Sequence, residues 1–141
     1  MSKKGYLLDT HILVWALQDK QRLSNDVRED IEYFQFPFYV SVASLHELIF
    51  LIQEKKITSY DSISSIIKAV QDKQMQLLDI TPKHIEVLEN LSSPYIGKSS
   101  HKDPFDRIII SQGIAEKLTV ISADTVFPLY TDRGFKLLQN K

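Results

Sequence analysis

The sequence predicts an α/β domain with a mostly parallel central sheet and helices on both faces. Three observations carry this. Short apolar runs alternate along the chain with stretches of helical periodicity, the pattern of strands joined by crossover helices. The clearest strand candidate, "PFYVSV" at 37–42, is β-branched and aromatic and reads as buried, as strands of a covered parallel sheet do. The chain has 141 residues, 43% of them hydrophobic, enough for one domain and one sizeable core. Residues 1–141 are therefore read as a single domain, and neither an internal repeat nor a low-complexity tract interrupts them.

The elements follow in order. "GYLLD" (5–9) is a short apolar run that stops at an Asp, and "HILVWAL" (11–17) is too long for one strand, so a helix is expected from about Thr10. In "SNDVREDIEYF", Val27, Ile31 and Phe34 stand at helical spacing behind Ser24 as N-cap. After the 37–42 strand, Leu45, Leu48, Ile49 and Ile52 form one helix face, with Phe50 and Leu51 adding apolar surface beyond it. Ile63, Ile66, Ile67 and Val70 repeat the spacing, and "MQLLDI" (75–80) reads as a strand. Thr81 then Pro82 is a cap followed by the first helical position, and Asp103 then Pro104 is another. Between those two helices, "SSPYIGKSSHK" (92–102) reads as a loop. "LTVIS" (118–122) and "FKLLQ" (135–139) complete the strands.

Composition narrows the function. The sequence has no Cys, so disulfides and thiolate metal sites are excluded, and any metal must use carboxylate, imidazole or backbone ligands. The longest apolar runs are too short to span a bilayer, and the first nine residues lack a signal-peptide pattern, so a soluble, cytoplasmic protein without membrane contact is expected. The net charge is −1, so nucleic acid would have to be held by a local patch or a metal instead of a global basic field.

Four acids stand where a parallel sheet would gather them. Asp9 ends the first strand; Glu47 is expected in the first turn of the helix after 37–42; Asp106 lies in the first turn after the 92–102 loop; Asp124 follows "LTVISA". Strand ends and the starts of the following helices share one edge, which is where such sheets bind ligands. Each acid also has an ordinary structural use. "SLHE" (44–47) reads as a capping box and "DPFD" (103–106) as its Asp counterpart, and Asp124 suits a turn. Together they are harder to explain that way: carboxylates within about 5 Å repel by roughly 3 kcal/mol per pair at an effective dielectric of ~20. A divalent cation would neutralise them, and oxygen-only ligands select hard ions, Mg²⁺ or Mn²⁺.

The ordered set "YLLDTHILVW", "SVASLHEL", "HKDPFDRIIISQ" and "VISAD" resembles the PIN-domain ribonucleases, above all the VapC-type toxins of toxin–antitoxin pairs. The resemblance implies a three-layer α/β/α sandwich and Mg²⁺- or Mn²⁺-dependent cleavage of RNA. It implies catalytic and metal-binding roles for Asp9, Glu47, Asp106 and Asp124, with Asp9 and Asp106 as main ligands. Asp103 and Ser122 would support them. It also implies a small antitoxin partner and a homodimer; the apolar surface of helix 44–55 is explained first by burial in the core and second by either of those contacts.

The remaining polar residues have two readings each. Lys98 and Lys102 flank the loop and are candidates for RNA phosphate contacts or plain surface charge. Arg107 would touch phosphate or, more in keeping with its neighbours, pair with a carboxylate. His11 and His46 are expected as partly buried packing residues, His101 lies beside the acidic motif, and Trp15 is expected in the core. Three other functions compete with this reading. A receiver-like acidic pocket would need a Lys ending a late strand, which "LTVISAD" lacks. A small-molecule phosphatase would need a second Asp two residues after the first, which "LLDTH" lacks. A PIN fold kept only as an interaction module is disfavoured by the presence of all four acids.

Overall fold

A computed structural model describes residues 5–33 and 37–141. Its strands are β1 (Tyr6–Leu8), β2 (Phe38–Ser41), β3 (Gln76–Leu78), β4 (Tyr95–Ile96), β5 (Ser99–Ser100), β6 (Thr119–Ser122) and β7 (Lys136–Gln139). Its α-helices are α1 (Thr10–Gln18), α2 (Asn25–Tyr33), α3 (Val42–Gln53), α4 (Ile63–Asp72), α5 (Pro82–Glu89) and α6 (Pro104–Glu116), with 3₁₀ turns at Lys20–Arg22 and Phe127–Arg133. Five strands form one wholly parallel sheet in the order β3-β2-β1-β6-β7. Helices cover both faces, giving the expected α/β/α sandwich.

Side-chain alternation in the strands divides the core in two. Leu8, Val40 and Ile121 point to the face covered by Ile12 and Leu13 of α1, Val27 of α2, Leu48 of α3 and Ile66 and Val70 of α4. Leu7 and Val120 point the other way, onto Ile109 and Ile110 of α6, with Phe127, Tyr130 and Phe135 beside them. The centre of the sheet therefore has no wet face, as its sequence of apolar runs requires. Among the described residues no helix is long and apolar enough to cross a membrane.

The order of the strands places the site. The chain steps outward from β1 to β2 to β3, then returns across the sheet to β6 on the other side of β1 and steps outward again to β7. The direction of winding reverses between β1 and β6. At such a switch point the loops leaving the two strand ends diverge and leave a crevice. Leu8 pairs with Ile121, so Asp9 and Ser122 emerge side by side at that crevice.

Several local expectations are corrected. β2 ends at Ser41 and runs into α3 with no connecting residue, and Ser41, not Ser44, is the cap: its Oγ accepts the Ala43 N–H at 3.0 Å. Ser44 is buried and accepts the Thr10 Oγ1–H at 3.0 Å instead, so "SLHE" is not a capping box and Glu47 lies in the second turn. The 92–102 segment is no plain loop: β4 and β5 pair antiparallel about a tight turn, with Gly97 at φ +63° where a side chain would be strained. His11 and His46 are exposed, the latter touching the rings of Phe50 and Phe105. Trp15 is half-buried, packed on the core below and covered by the Arg22 guanidinium 5.7 Å above its ring. Phe34 lies outside the described residues. The caps at Thr81 and Asp103 stand as expected, and His84 completes a capping box with Thr81 by accepting the Thr81 N–H at Nδ1, 3.0 Å away.

The contact between α6 and β6 is tight enough to test. A Cβ on Gly113 would lie 2.7 Å from Cγ2 of the fully buried Val120. Gly→Ala inside a helix would otherwise stabilise by about 1 kcal/mol. Overpacking at this contact is expected to reverse the sign, so that Gly113→Ala is destabilising by about 1–3 kcal/mol in denaturant unfolding. Adding Val120→Ala should cancel part of that loss. Independent, additive effects of the two changes would show that the helix does not press on the strand here.

Candidate active site

Asp9 is the anchor of the edge. It is 5% exposed, at the end of the central strand, and both carboxylate oxygens are engaged. Oδ1 accepts the Thr10 N–H and Oδ2 accepts the Ser122 Oγ–H, each at 2.8 Å. The same Ser122 oxygen accepts the Asp124 N–H at 3.0 Å, and Asp124 Oδ1 accepts the Val126 N–H at 2.8 Å. One buried hydroxyl thus ties Asp9 to the turn that carries Asp124.

Asp106 enters from α6. Asp103 closes the helix: its Oδ1 accepts the N–H groups of Phe105 and Asp106, both at 3.0 Å. Asp106 is thereby relieved of capping, and its Oδ2 faces Nε2 of the buried His101 at 3.2 Å. His101 in turn meets the Tyr130 hydroxyl at 2.7 Å through Nδ1. Burial lowers the His101 pKa against the pull of Asp103 and Asp124, with Arg107 adding to the lowering.

The acidities show how the carboxylates share the space. Burial first, and then the charges of Asp9, Asp103, Asp124 and Glu47, together push Asp106 up to about 8. Asp9 is more deeply buried yet rises only to about 6. Burial raises it, the bonds from Ser122 and Thr10 and the nearby His11 oppose the rise, and Glu47 adds to it. Asp9, Glu47 and Asp124 therefore all act on Asp106, and Glu47 acts on Asp9, although the four come from β1, α3, α6 and the turn after β6. Among the described residues no three carboxylates or imidazoles are drawn together to ligand distance. The donor set is nonetheless suited to a hard divalent cation: it is made of oxygens, partly buried, and loaded with mutual repulsion that a proton on Asp106 relieves and a cation would relieve better.

The basic residues separate. Lys98 and Lys102 are exposed on the ribbon and just after it. Arg107 turns inward and has no carboxylate partner among the described residues. Its guanidinium donates to Leu91 O at 2.8 Å, to the Tyr130 hydroxyl at 3.1 Å and to Ser93 Oγ. The expected carboxylate pair is corrected because the 91–93 backbone is nearer than any acid. Sequence reading noted His101 without finding it a partner and missed Tyr130 altogether. His101 is five residues before Asp106, a usable hint, whereas Tyr130 reaches it from a 3₁₀ turn that carries no local mark of the contact.

The sequence matches the PIN-domain family over residues 6–132. The fold is similar to that of a chain in VapBC2 from Rickettsia felis bound to a DNA fragment from their promoter, with a TM-score of 0.71 at 17% identity over 96% of this chain and 98% of that one. It is similar to DNA-bound VapBC from Salmonella typhimurium, with a TM-score of 0.70 at 17% identity over 99% and 98% of the two chains. FitAcB from Neisseria gonorrhoeae gives a TM-score of 0.61 at 14% identity over 94% and 96%. At these identities the likeness is one of fold. Among curated proteins, none matches the chain.

The carboxylate crowding has a consequence for stability. The Asp106 carboxyl sits at about 8 in the folded chain and near its ordinary 3.8 when unfolded. Between those values the folded form holds a proton that the unfolded form has lost, so stability falls as pH rises. With chelator present, unfolding free energy is expected to drop between pH 6 and pH 8, by at most about 1.4 kcal/mol per pH unit for each such proton. Asp106→Asn should flatten that drop. Equal slopes in the variant and the wild type would contradict the crowding.

Proposed function

The chain belongs to the PIN-domain family, and from that premise we propose that it is a divalent-metal-dependent endoribonuclease, the toxin of a toxin–antitoxin pair. The observation that carries the reading is the convergence of charge on Asp106 from Asp9, Glu47, Asp103 and Asp124 at the switch point of the sheet. Family membership sets aside the receiver-like alternative, and the likeness to VapBC complexes supports a small antitoxin as partner.

Asp9 and Asp106 would hold the cation, Mg²⁺ or Mn²⁺, with Asp124 completing the set. When bound, such an ion supplies Lewis acidity that stabilises charge on a phosphoryl group and makes water a better nucleophile. Glu47 would orient the attacking water and take its proton. Ser122 holds Asp9 in place through Oδ2, and Asp103 closes the helix so that Asp106 is left for the site. Lys98 and Lys102 would neutralise RNA phosphates on the approach; Arg107, whose guanidinium is bonded inside, is left out of that role. The exposed Ile49 and Phe50 of α3 suit a homodimer or antitoxin contact, in a cytoplasmic setting. One observation favours the plainer reading of a PIN fold kept for interaction only: the acids stand apart at more than ligand spacing. Activity separates the two.

The direct test is cleavage of an RNA panel (tRNA, rRNA fragments, mRNA) with Mg²⁺, Mn²⁺ or chelator. Wild type should cleave only with metal. Asp9→Asn and Asp106→Asn should lose cleavage while keeping the fold by circular dichroism, since each change removes charge and little volume. Wild-type rates in both variants would sink the metal-site reading. Lys98→Ala with Lys102→Ala should weaken RNA binding similarly across sequences and reduce the slope of log affinity against log salt by about one unit per contact.

Metal should also stabilise the fold, and more at pH 8 than at pH 5, because in acid protons already neutralise the site. At 100 times its dissociation constant the gain would be about 2.7 kcal/mol. Identical melting with Mg²⁺, Mn²⁺ and chelator at pH 8 would refute it.

A further inference from the structure

Asp106 is held from behind by hydrogen bonds that involve none of the other acids. A guanidinium only donates, so the Tyr130 oxygen accepts from Arg107 Nη1 at 3.1 Å. The Tyr130 O–H is then left to donate, and its acceptor among the described residues is His101 Nδ1 at 2.7 Å. A neutral imidazole that accepts at Nδ1 carries its proton on Nε2. Nε2 stands 3.2 Å from Asp106 Oδ2 and donates to it. The direction of every bond in the series Arg107, Tyr130, His101, Asp106 is set by the arginine at its far end.

Each member is fixed by a different part of the fold. Arg107 is clamped to Leu91 O at 2.8 Å, Tyr130 is fully buried in the 3₁₀ turn, and the His101 N–H is bonded to Pro94 O at 2.9 Å where the ribbon closes. A surface histidine near an acid would lack this. The backbone bond to Pro94 fixes where His101 stands, the Tyr130 hydroxyl held by Arg107 faces its Nδ1, and Asp106 is the acid hydrogen-bonded to its ring among the described residues.

We propose that His101 is the positioning residue of Asp106, held as its Nε2–H tautomer by Tyr130 and Arg107, so that Oδ2 is occupied and Oδ1 is the oxygen available to a cation. This rests on the metal-dependent reading above and deepens it. The groups hydrogen-bonded to a metal's carboxylate ligands fix ligand orientation, and their loss commonly weakens metal affinity by about tenfold or more.

The test is a titration of thermal stability with MgCl₂ at constant ionic strength, on the full chain, for wild type, His101→Ala, His101→Gln and Tyr130→Phe. Folding of each is checked by circular dichroism, and RNA cleavage is measured at saturating Mg²⁺. The Mg²⁺ midpoint is expected to rise about tenfold in His101→Ala and by a smaller factor, about threefold, in Tyr130→Phe. His101→Gln, which can place an amide N–H near the position of Nε2, should recover most of the loss. The KM for RNA at saturating Mg²⁺ should stay within about twofold of wild type. A histidine that only packs would lower the metal-free melting temperature and leave the midpoint where it was; that result, in His101→Ala or in Tyr130→Phe, overturns the proposal. Equal impairment of the Gln and Ala variants overturns it too. Should His101→Ala fail to fold, Tyr130→Phe, which keeps the buried ring, decides the matter by the same midpoint. A wild type without any Mg²⁺ response removes the metal site itself and this role with it, whereas a responding wild type with equally responsive variants removes the role alone.

Discussion

The pairing of β1 with β6 is the constraint on which the rest depends. Their register joins residues 113 positions apart, and the Asp9 carboxylate then meets the Ser122 hydroxyl at the end of the sheet. The one local donor among the described residues, the Thr10 N–H, engages only Oδ1, and Oδ2 depends on the distant hydroxyl. A buried carboxylate without partners would cost several kcal/mol, and the hydroxyl and the Thr10 N–H offset that cost. The same hydroxyl orders the turn of Asp124. Loosening this one contact would free two of the four acids.

The two buried aspartates show different balances of the same forces. Asp9 is surrounded by donors and remains the more acidic; Asp106 has one imidazole and a ring of like charge, and holds its proton into the neutral range. Under the proposed function, a divalent ion held by Asp9 and Asp106 would take the place of that proton and offset the repulsion. The fold supplies this contrast by geometry: Asp103 absorbs the helix N-terminus, so Asp106 does not have to.

Direct passage from β2 into α3 has a similar effect on the other side of the crevice. With no loop between strand and helix, Ser41 must act as the cap and Ser44 is carried into the core against Thr10. Glu47 thereby stands in the second turn of α3, from which its charge acts on the acidities of Asp9 and Asp106. The exposed side of the same helix carries His46, Phe50 and, from α6, Phe105, with ring centroids 5.3–6.4 Å apart. The edge that carries the acids and this aromatic cluster are thus neighbours through Phe105 and Asp106 of α6.

By itself the sequence determined the alternation of strands and helices, the parallel sheet, the caps at Thr81 and Asp103, and the edge on which Asp9, Glu47, Asp106 and Asp124 stand. These follow from periodicity, from residue types with strong local preferences, and from the rule that parallel strands end on one side. The tertiary structure alone decided which serine caps α3, that the 92–102 segment pairs with itself, that His11 and His46 face solvent, and that Arg107 turns inward. It alone joined Tyr130 and His101 to Asp106. Short-range pattern cannot encode these choices, because each depends on a competitor supplied from far along the chain: a backbone carbonyl nearer than a carboxylate, or a buried hydroxyl with one acceptor within reach.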